Sequence, residues 1–488
     1  MLRVIGNDQN LPRQEHAVAS GALTNGKPVI VNSDGTVSVV SSSSVSQALG
    51  TAVTFLNDFA VNMAPIYDSD SQKIVIAYRD VNNSNYGTAI VGTVNASDNS
   101  ISFGSPAVFE TARAQSISAA YDTNAQKVVI SYSDNGNGNR GTVIIGTVSG
   151  TSISFGTAVL FDSDGITTTS TTYDPNEQKI VISYHDDGNN SYGTSIVGTV
   201  SGTSISFGSA VVFNAGTTFY ISSIYDTNAQ KVVIAYRDAS NSDHGTAIVG
   251  TVSGTSISFG TEVVFEAAAS NYVKAIYDSS NNKVVIAYRD DGNSSYGTAI
   301  VGTVSGTSIS FGSASVFESG GSANHITGAY DANVGKVVIA YEDEANSEYG
   351  TVVSSTVSGT SISFDTPTVF SESQNADNHV VYDANAKKSV IVFRNQGNSN
   401  YGTSIVFQAS GTVANLTSEN YIGIARSGVA DTAKAIIDTQ GAIADNLSGL
   451  TAGQSYYVQN DGTLGTTAAD PSVFAGTAVS ATKLIVKG

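Results

Sequence analysis

The sequence predicts an all-β chain whose centre is a seven-bladed β-propeller, on three observations. A motif typified by Tyr277 to Gly297, YDSSNNKVVIAYRDDGNSSYG, occurs seven times, opening at Tyr67, Tyr121, Tyr173, Tyr225, Tyr277, Tyr330 and Tyr382, 52 to 54 residues apart. Its internal spacing is fixed: a Lys stands six positions after the Tyr (Lys73, Lys127, Lys179, Lys231, Lys283, Lys336, Lys388) and a Gly twenty after it (Gly87, Gly141, Gly193, Gly245, Gly297, Gly350, Gly402). Each period divides into four short apolar segments separated by Asn, Gly, Ser and Asp, residues that accept tight-turn geometry. A repeat of this length made of four strands is the signature of a propeller blade.

Taken in order, the first strand ends at the Tyr-Asp pair, the second is KVVIAYRD, the third GTAIVGTV, and the fourth SISFG with the apolar residues that follow to a Phe. Within KVVIAY both alternating faces are apolar, as expected of a strand sandwiched between neighbouring blades. The seventh repeat stops after its third strand, because YGTSIVFQASGTVANL (Tyr401 to Leu416) has no SISFG behind it. The missing strand stands at the other end: GTAVTF, Gly50 to Phe55, matches GTAVLF at Gly156 to Phe161, and Phe55 precedes Tyr67 by the same twelve residues that separate Phe109 from Tyr121. An N-terminal strand closing the last blade leaves no open edge at the seam.

Residues 1–48 and 412–488 lie outside the repeats and read as two halves of one small composite β domain, with the propeller, 49–411, inserted between them. Gly21 to Val40 reads as a hairpin turning at Asn32 to Gly35, and VQNDGT at Val458 to Thr463 echoes VNSDGT at Val31 to Thr36. Ser41 to Ser46 is a linker. By the geometry of a propeller, such a base sits on the face of the first-to-second and third-to-fourth turns. Those turns are nearly uniform among the copies. The fourth-to-first connections all differ (ETARAQ, DSDGIT, NAGTTFY, EAAASNY, ESGGSANH, SESQNADNH), so diversity gathers on the opposite face.

A net charge of −19, with 22 basic against 41 acidic residues, argues against a nucleic-acid surface. Absence of Cys removes disulfides and thiolate metal sites. The first twenty residues hold no apolar run long enough for an export leader, and no segment approaches a membrane span, so neither a secretory route nor membrane insertion is expected.

On the variable face, the residue before the fixed Gly is Tyr86, Arg140, Tyr192, His244, Tyr296, Tyr349 or Tyr401. These are the candidate ligand-binding residues, aromatic rings for stacking on sugars with Arg140 or His244 for hydrogen bonding; packing against the adjacent blade is the alternative. The acids between second and third strands (Asp80, Asp134, Asp186, Asp187, Asp238, Asp290, Asp291, Asp343) read as turn caps, with weak Ca²⁺ binding the alternative. The position before them (Arg79, Ser133, His185, Arg237, Arg289, Glu342, Arg394) reads as an ion-pair partner of the neighbouring Asp, and the Lys of the second strand as a partner of the Tyr-Asp acid. Five His residues show no metal-ligand spacing, and neither a GxSxG elbow, a P-loop nor a dinucleotide turn is present. Acids repeat with the blades, so no catalytic residues, metal or cofactor are expected.

The flanks carry a family resemblance. GALTNGKPVIVNSDGTVSVV, with YIGIARSGVADTAKAIIDTQGAIADNLSGLTAGQSYYVQNDGTLGTT and ATKLIVKG, resembles a module of structural proteins of tailed bacteriophages, those of marine phages especially. It covers about a quarter of the chain, while the repeats match no enzyme propeller motif. The resemblance implies a virion component assembled in the host cytoplasm and homo-oligomeric in the particle. Its base would dock to other virion proteins of tail or capsid, and its propeller would be displayed for host-surface glycan attachment, as in a tail fibre or adhesin. A capsid decoration or head-fibre protein is the alternative, and a carbohydrate-binding propeller lectin the second.

Overall fold

The computed structural model describes residues 13–469 and 471–487; the reading of the first residues as leaderless therefore lies, for residues 1–12, outside the described residues. The described chain is all-β and falls into two compact units, 46–411 and the two flanks together.

The larger unit is a 29-stranded antiparallel sheet. Its repeating element is a second strand such as Lys283–Asp290 between a first strand, Val263–Asp278, and a third, Tyr296–Ser305. The connection from fourth to first strand is not a loop, as the sequence suggested. Val263–Asp278 runs 16 residues without a break, its front half paired to the third strand of the preceding repeat and its rear half to its own second strand. Continuity holds for six repeats and fails only at Ser315–Glu318 and Ala323–Asp331, around Gly320 and Gly321. At the chain ends, Tyr401–Gln408 pairs with Ala48–Leu49 and with Val53–Asp68, so the last repeat takes its outer strand from the first residues of the unit.

The fixed residues of the motif have contacts that explain them. Val284, Val285, Ile286, Ala287 and Tyr288 are wholly buried on both faces, and each apolar cluster joins strands of two successive repeats. One cluster unites Ile74, Ile76 and Tyr78 with Val390, Val392 and Val406, sealing the ring between first and last repeats. Burial of each such side chain contributes roughly 1.5–3 kcal/mol. A Cβ on Gly297 would overlap the ring of Phe317, and Gly402 stands in the same relation to Phe55. The Asp of each Tyr-Asp pair caps its turn: Asp122 Oδ1 accepts from the N–H groups of Asn124 (3.0 Å) and Ala125 (2.8 Å). The Tyr hydroxyl reaches back one repeat, Tyr277 accepting from Asn228 N–H at 3.1 Å, and Tyr67 from Asn385 N–H at 3.2 Å across the seam.

In the second unit, Gln14–Val18, Lys434–Asp438, Tyr421–Ala425, Pro28–Val31 and Val37–Val39 form one five-stranded sheet, so both chain ends contribute to it. A second sheet comes from the C-terminal flank alone. The two DGT segments fold alike: Asp34 Oδ1 accepts from Thr36 N–H (2.9 Å) and Oγ1 (2.6 Å), and Asp461 Oδ1 from Thr463 at the same distances. Gly35 (φ 83°) and Gly462 (φ 73°) supply the left-handed residue each turn requires.

No helix among the described residues is long and apolar enough to cross a membrane.

Candidate functional site

Every first strand carries a β-bulge where its register against the second strand slips, for example between Phe219 and Ser222. An extra residue re-aims the side chains there. The residue five before each motif Tyr sits in this bulge, and all seven such residues, Asn62, Ser116, Thr168, Tyr220, Tyr272, His325 and Asp377, line one cavity of about 630 Å³. Six of them have positive φ, from 47° to 54°. Thr168 does not, because a β-branched residue resists that region, and its bulge falls one residue earlier, between Ile166 and Thr169.

This ring breaks the sequence repeat. Tyr220, Tyr272 and His325 stand on three successive repeats and touch in series, with ring centroids 5.4 and 5.1 Å apart. Guanidinium groups back them: Arg237 lies 5.0 Å from the Phe219 ring and 5.3 Å from Tyr220, and Arg289 5.2 Å from Tyr272. Left-handed φ is tolerable for Asn, Asp and His but costs a bulky residue about 1–2 kcal/mol, so two tyrosines there mark backbone strain held for the sake of the rings.

Further round the wall, Asp377 Oδ2 accepts from the Asn62 N–H at 2.5 Å, and Oδ1 lies 3.4 Å from His379 Nε2. Burial pushes the Asp377 carboxyl upward, but the hydrogen bond and charge of His379, the charge of His325 and the Asn62 N–H outweigh it and hold the group below its ordinary value. Burial lowers His325. Asn378, 3% exposed, has neither amide atom hydrogen-bonded, an arrangement native interiors avoid unless a ligand or water meets the group.

The candidates drawn from the sequence are elsewhere. Tyr86, Arg140, Tyr192, His244, Tyr296, Tyr349 and Tyr401 open the third strands, opposite the acid or amide that closes each second strand. Arg140 is exposed, the rest half-buried, and none lines the cavity.

Three expectations need correction. The residue before the acid pairs beyond its neighbour: Arg289 Nε with Asp291 at 2.7 Å, His185 with Asp187 at 3.1 Å, and Arg237 Nε with Asp243 at 3.2 Å, the last an ion pair too bent for a hydrogen bond. The adjacent acids instead cap turns, as Asp290 does for Asn293 N–H at 3.1 Å. No second-strand Lys among the described residues forms an ion pair with the acid of its own Tyr-Asp; Lys283 and Lys336 donate to Thr303 (2.9 Å) and Thr356 (2.8 Å), and Lys336 pairs with Asp365. Charged groups do break the symmetry, for Arg237, His325, Asp377 and His379 share the cavity wall. The signal was in the sequence, in the last residues of the variable connections, but reading those as loops hid their common register. Among the described residues no group of three His, Cys, Asp or Glu is placed to hold a metal.

No protein-family model and no curated protein matches the chain. Among solved structures it is similar to the BP39L lectin from Burkholderia pseudomallei, with 8% identity and a TM-score of 0.53 over 74% of this chain and 99% of the lectin. It is also similar to a protein of unknown function from Dyadobacter fermentans, with 10% identity and a TM-score of 0.45 over 75% of this chain and 99% of that one. At such identity the first likeness speaks to fold alone, that of a repeat-built β-propeller.

Proposed function

We propose that the chain is a non-enzymatic carbohydrate-binding protein, a seven-bladed β-propeller whose axial cavity receives a glycan. The observation that carries this reading is the cavity wall, where Tyr220, Tyr272 and His325 touch in series, their rings tilted to one another, and Asp377 and Asn378 offer polar atoms on the same ring. Sugars present apolar C–H faces and hydroxyl edges, so flat rings beside a carboxylate and an amide suit them. The cavity, about 630 Å³, falls within the usual range for small-molecule sites, roughly 300–1,000 Å³. Seven blades are favoured because one equivalent residue from each of seven repeats borders this single space. Binding is favoured over catalysis because, among the described residues, Asp377 is the one carboxylate lining the cavity, where glycosidic hydrolysis takes a pair.

The test is a glycan array probed with the full chain and with Tyr272→Ala, Tyr220→Ala and, for the rim, Tyr296→Ala. Binding to a defined glycan class is expected, lost at least tenfold in the first two variants and unchanged in the third. A wild-type chain that binds no glycan, or folded axial variants that bind as well as wild type, overturns the reading.

The flank patterns support a wider placement, in which the composite unit docks to the tail of a phage particle and the propeller serves as its adhesin; capsid decoration is the rival location. Immunogold labelling of intact particles separates them, and absence of label from any particle would sink both.

A further inference from the structure

Below the aromatic wall the same channel continues as a space of about 210 Å³, bordered by residues three before each motif Tyr. At four repeats that residue is a hydroxyl with a structural task. Ser118, Ser170, Ser222 and Thr327 each accept a hydrogen bond from a backbone N–H of the next repeat, at 2.9, 2.8, 3.0 and 3.3 Å. Two of the others depart in a directed way. His379 is followed round the ring by Pro65, which has no N–H to donate, so the loss of an acceptor there is matched by the loss of a donor. Lys274 has no such match, since an ammonium donates only and cannot replace the hydroxyl.

Among the described residues no carboxylate lies within ion-pair distance of Lys274. Burial lowers its amine, with no neighbouring charge contributing. The cations of the adjoining wall already have partners, Arg237 in Asp243 and His379 in Asp377, so the unmatched charge is that of Lys274. In a chain of net charge −19, a half-buried lysine at the axis without a counter-charge is the exception that asks for an anion.

We propose that Lys274 forms an anion subsite at the floor of the axial cavity and takes the carboxylate of an acidic sugar whose ring lies against Tyr220 and Tyr272. This rests on the glycan reading above and narrows it to uronic- or sialic-acid-bearing ligands.

Two measurements separate failure of the subsite from failure of that reading. On an array holding matched neutral and carboxylated glycans, the wild-type chain is expected to favour the carboxylated members at least tenfold, and Lys274→Met to lose that preference while keeping residual neutral binding. Neutral binding without the preference, or a preference that survives Lys274→Met, overturns the subsite and leaves glycan binding standing. The second measurement needs no variant: acetylation of Lys274 in the wild-type full chain, followed by mass spectrometry, with D-glucuronate, D-glucose or acetate present. Protection at least fivefold by glucuronate but not glucose supports an acidic-sugar site. Equal protection by acetate assigns the site to free carboxylates and overturns the sugar assignment, and no protection by either anion overturns the subsite.

Discussion

The hydroxyl of Ser222 accepts a hydrogen bond from the backbone N–H of Ala275, 3.0 Å away and 53 residues later in the chain. The bond joins two repeats near the axis, where packing alone leaves a strand N–H facing a neighbour with nothing to accept it. Replacing Ser222 by Ala should cost about 1–3 kcal/mol, the penalty for a buried donor left unpaired. The converse change is informative. Ala64 occupies the equivalent place before Ala119, so Ala64→Ser should stabilise by about 0.5–1.5 kcal/mol. Urea unfolding reads both, and equal small losses from the two changes would contradict the account.

Glu342 should make stability fall as pH rises. It is 9% exposed, at a position occupied in four repeats by Arg. Burial pushes its carboxyl up to about 7, aided by Glu348 and Glu344 and opposed by the side chain of Asn324 and by Arg394. A carboxyl whose folded value exceeds its unfolded one favours the folded state fully below about pH 4.5, and that advantage is lost as pH rises through about 7. From this group alone the loss between pH 5 and 8 is about 2.5 kcal/mol. Glu342→Gln should remove that slope and be the more stable protein at pH 8. Parallel pH–stability curves for the two proteins would refute this.

Much of this architecture was legible because a repeat reports its own constraints. The Tyr, Asp, Lys and Gly of the motif recur at fixed spacing, and three of the four have a geometric reason: Tyr277 and Asp278 brace turns, and Gly297 yields space to Phe317. The twin DGT segments of the flanks were equally readable, since Asp34 and Asp461 build the same turn from the same letters. The axial site was not. Its residues share a register rather than an identity, running Asn, Ser, Thr, Tyr, Tyr, His, Asp from Asn62 to Asp377, and only the bulge brings them to one wall.

Strain at Tyr272 separates binding from stability. Its φ of 51° suits Asn far better than an aromatic residue, whereas its ring contacts with Tyr220, His325 and Arg289 favour Tyr. Relief of about 1–2 kcal/mol of strain should roughly offset contacts of similar size, so Tyr272→Asn is expected to unfold within about 1 kcal/mol of wild type. Glycan binding should fall at least tenfold all the same. A loss of several kcal/mol would show that the ring serves the fold.

The last repeat carries a paired exchange that a double-mutant cycle can expose. In four repeats a buried Tyr donates its hydroxyl to the acid that follows the preceding Phe: Tyr132 to Glu110 (3.0 Å), Tyr184 to Asp162 (3.0 Å), Tyr288 to Glu266 (3.1 Å) and Tyr341 to Glu318 (3.2 Å). In the repeat ending at Tyr401 the Tyr has become Phe393 and the acid Ser371, so donor and acceptor have left together. Phe393→Tyr alone should then bury a hydroxyl beside a weaker partner, and Ser371→Glu alone a carboxylate without a donor, each destabilising by about 1–3 kcal/mol. Together they rebuild the arrangement of the other repeats, and the coupling should recover about 1–3 kcal/mol relative to additivity. Guanidinium unfolding of the four proteins measures it. Strict additivity would mean that the acid and the hydroxyl do not sense each other, and that the pair is a coincidence of drift among the repeats.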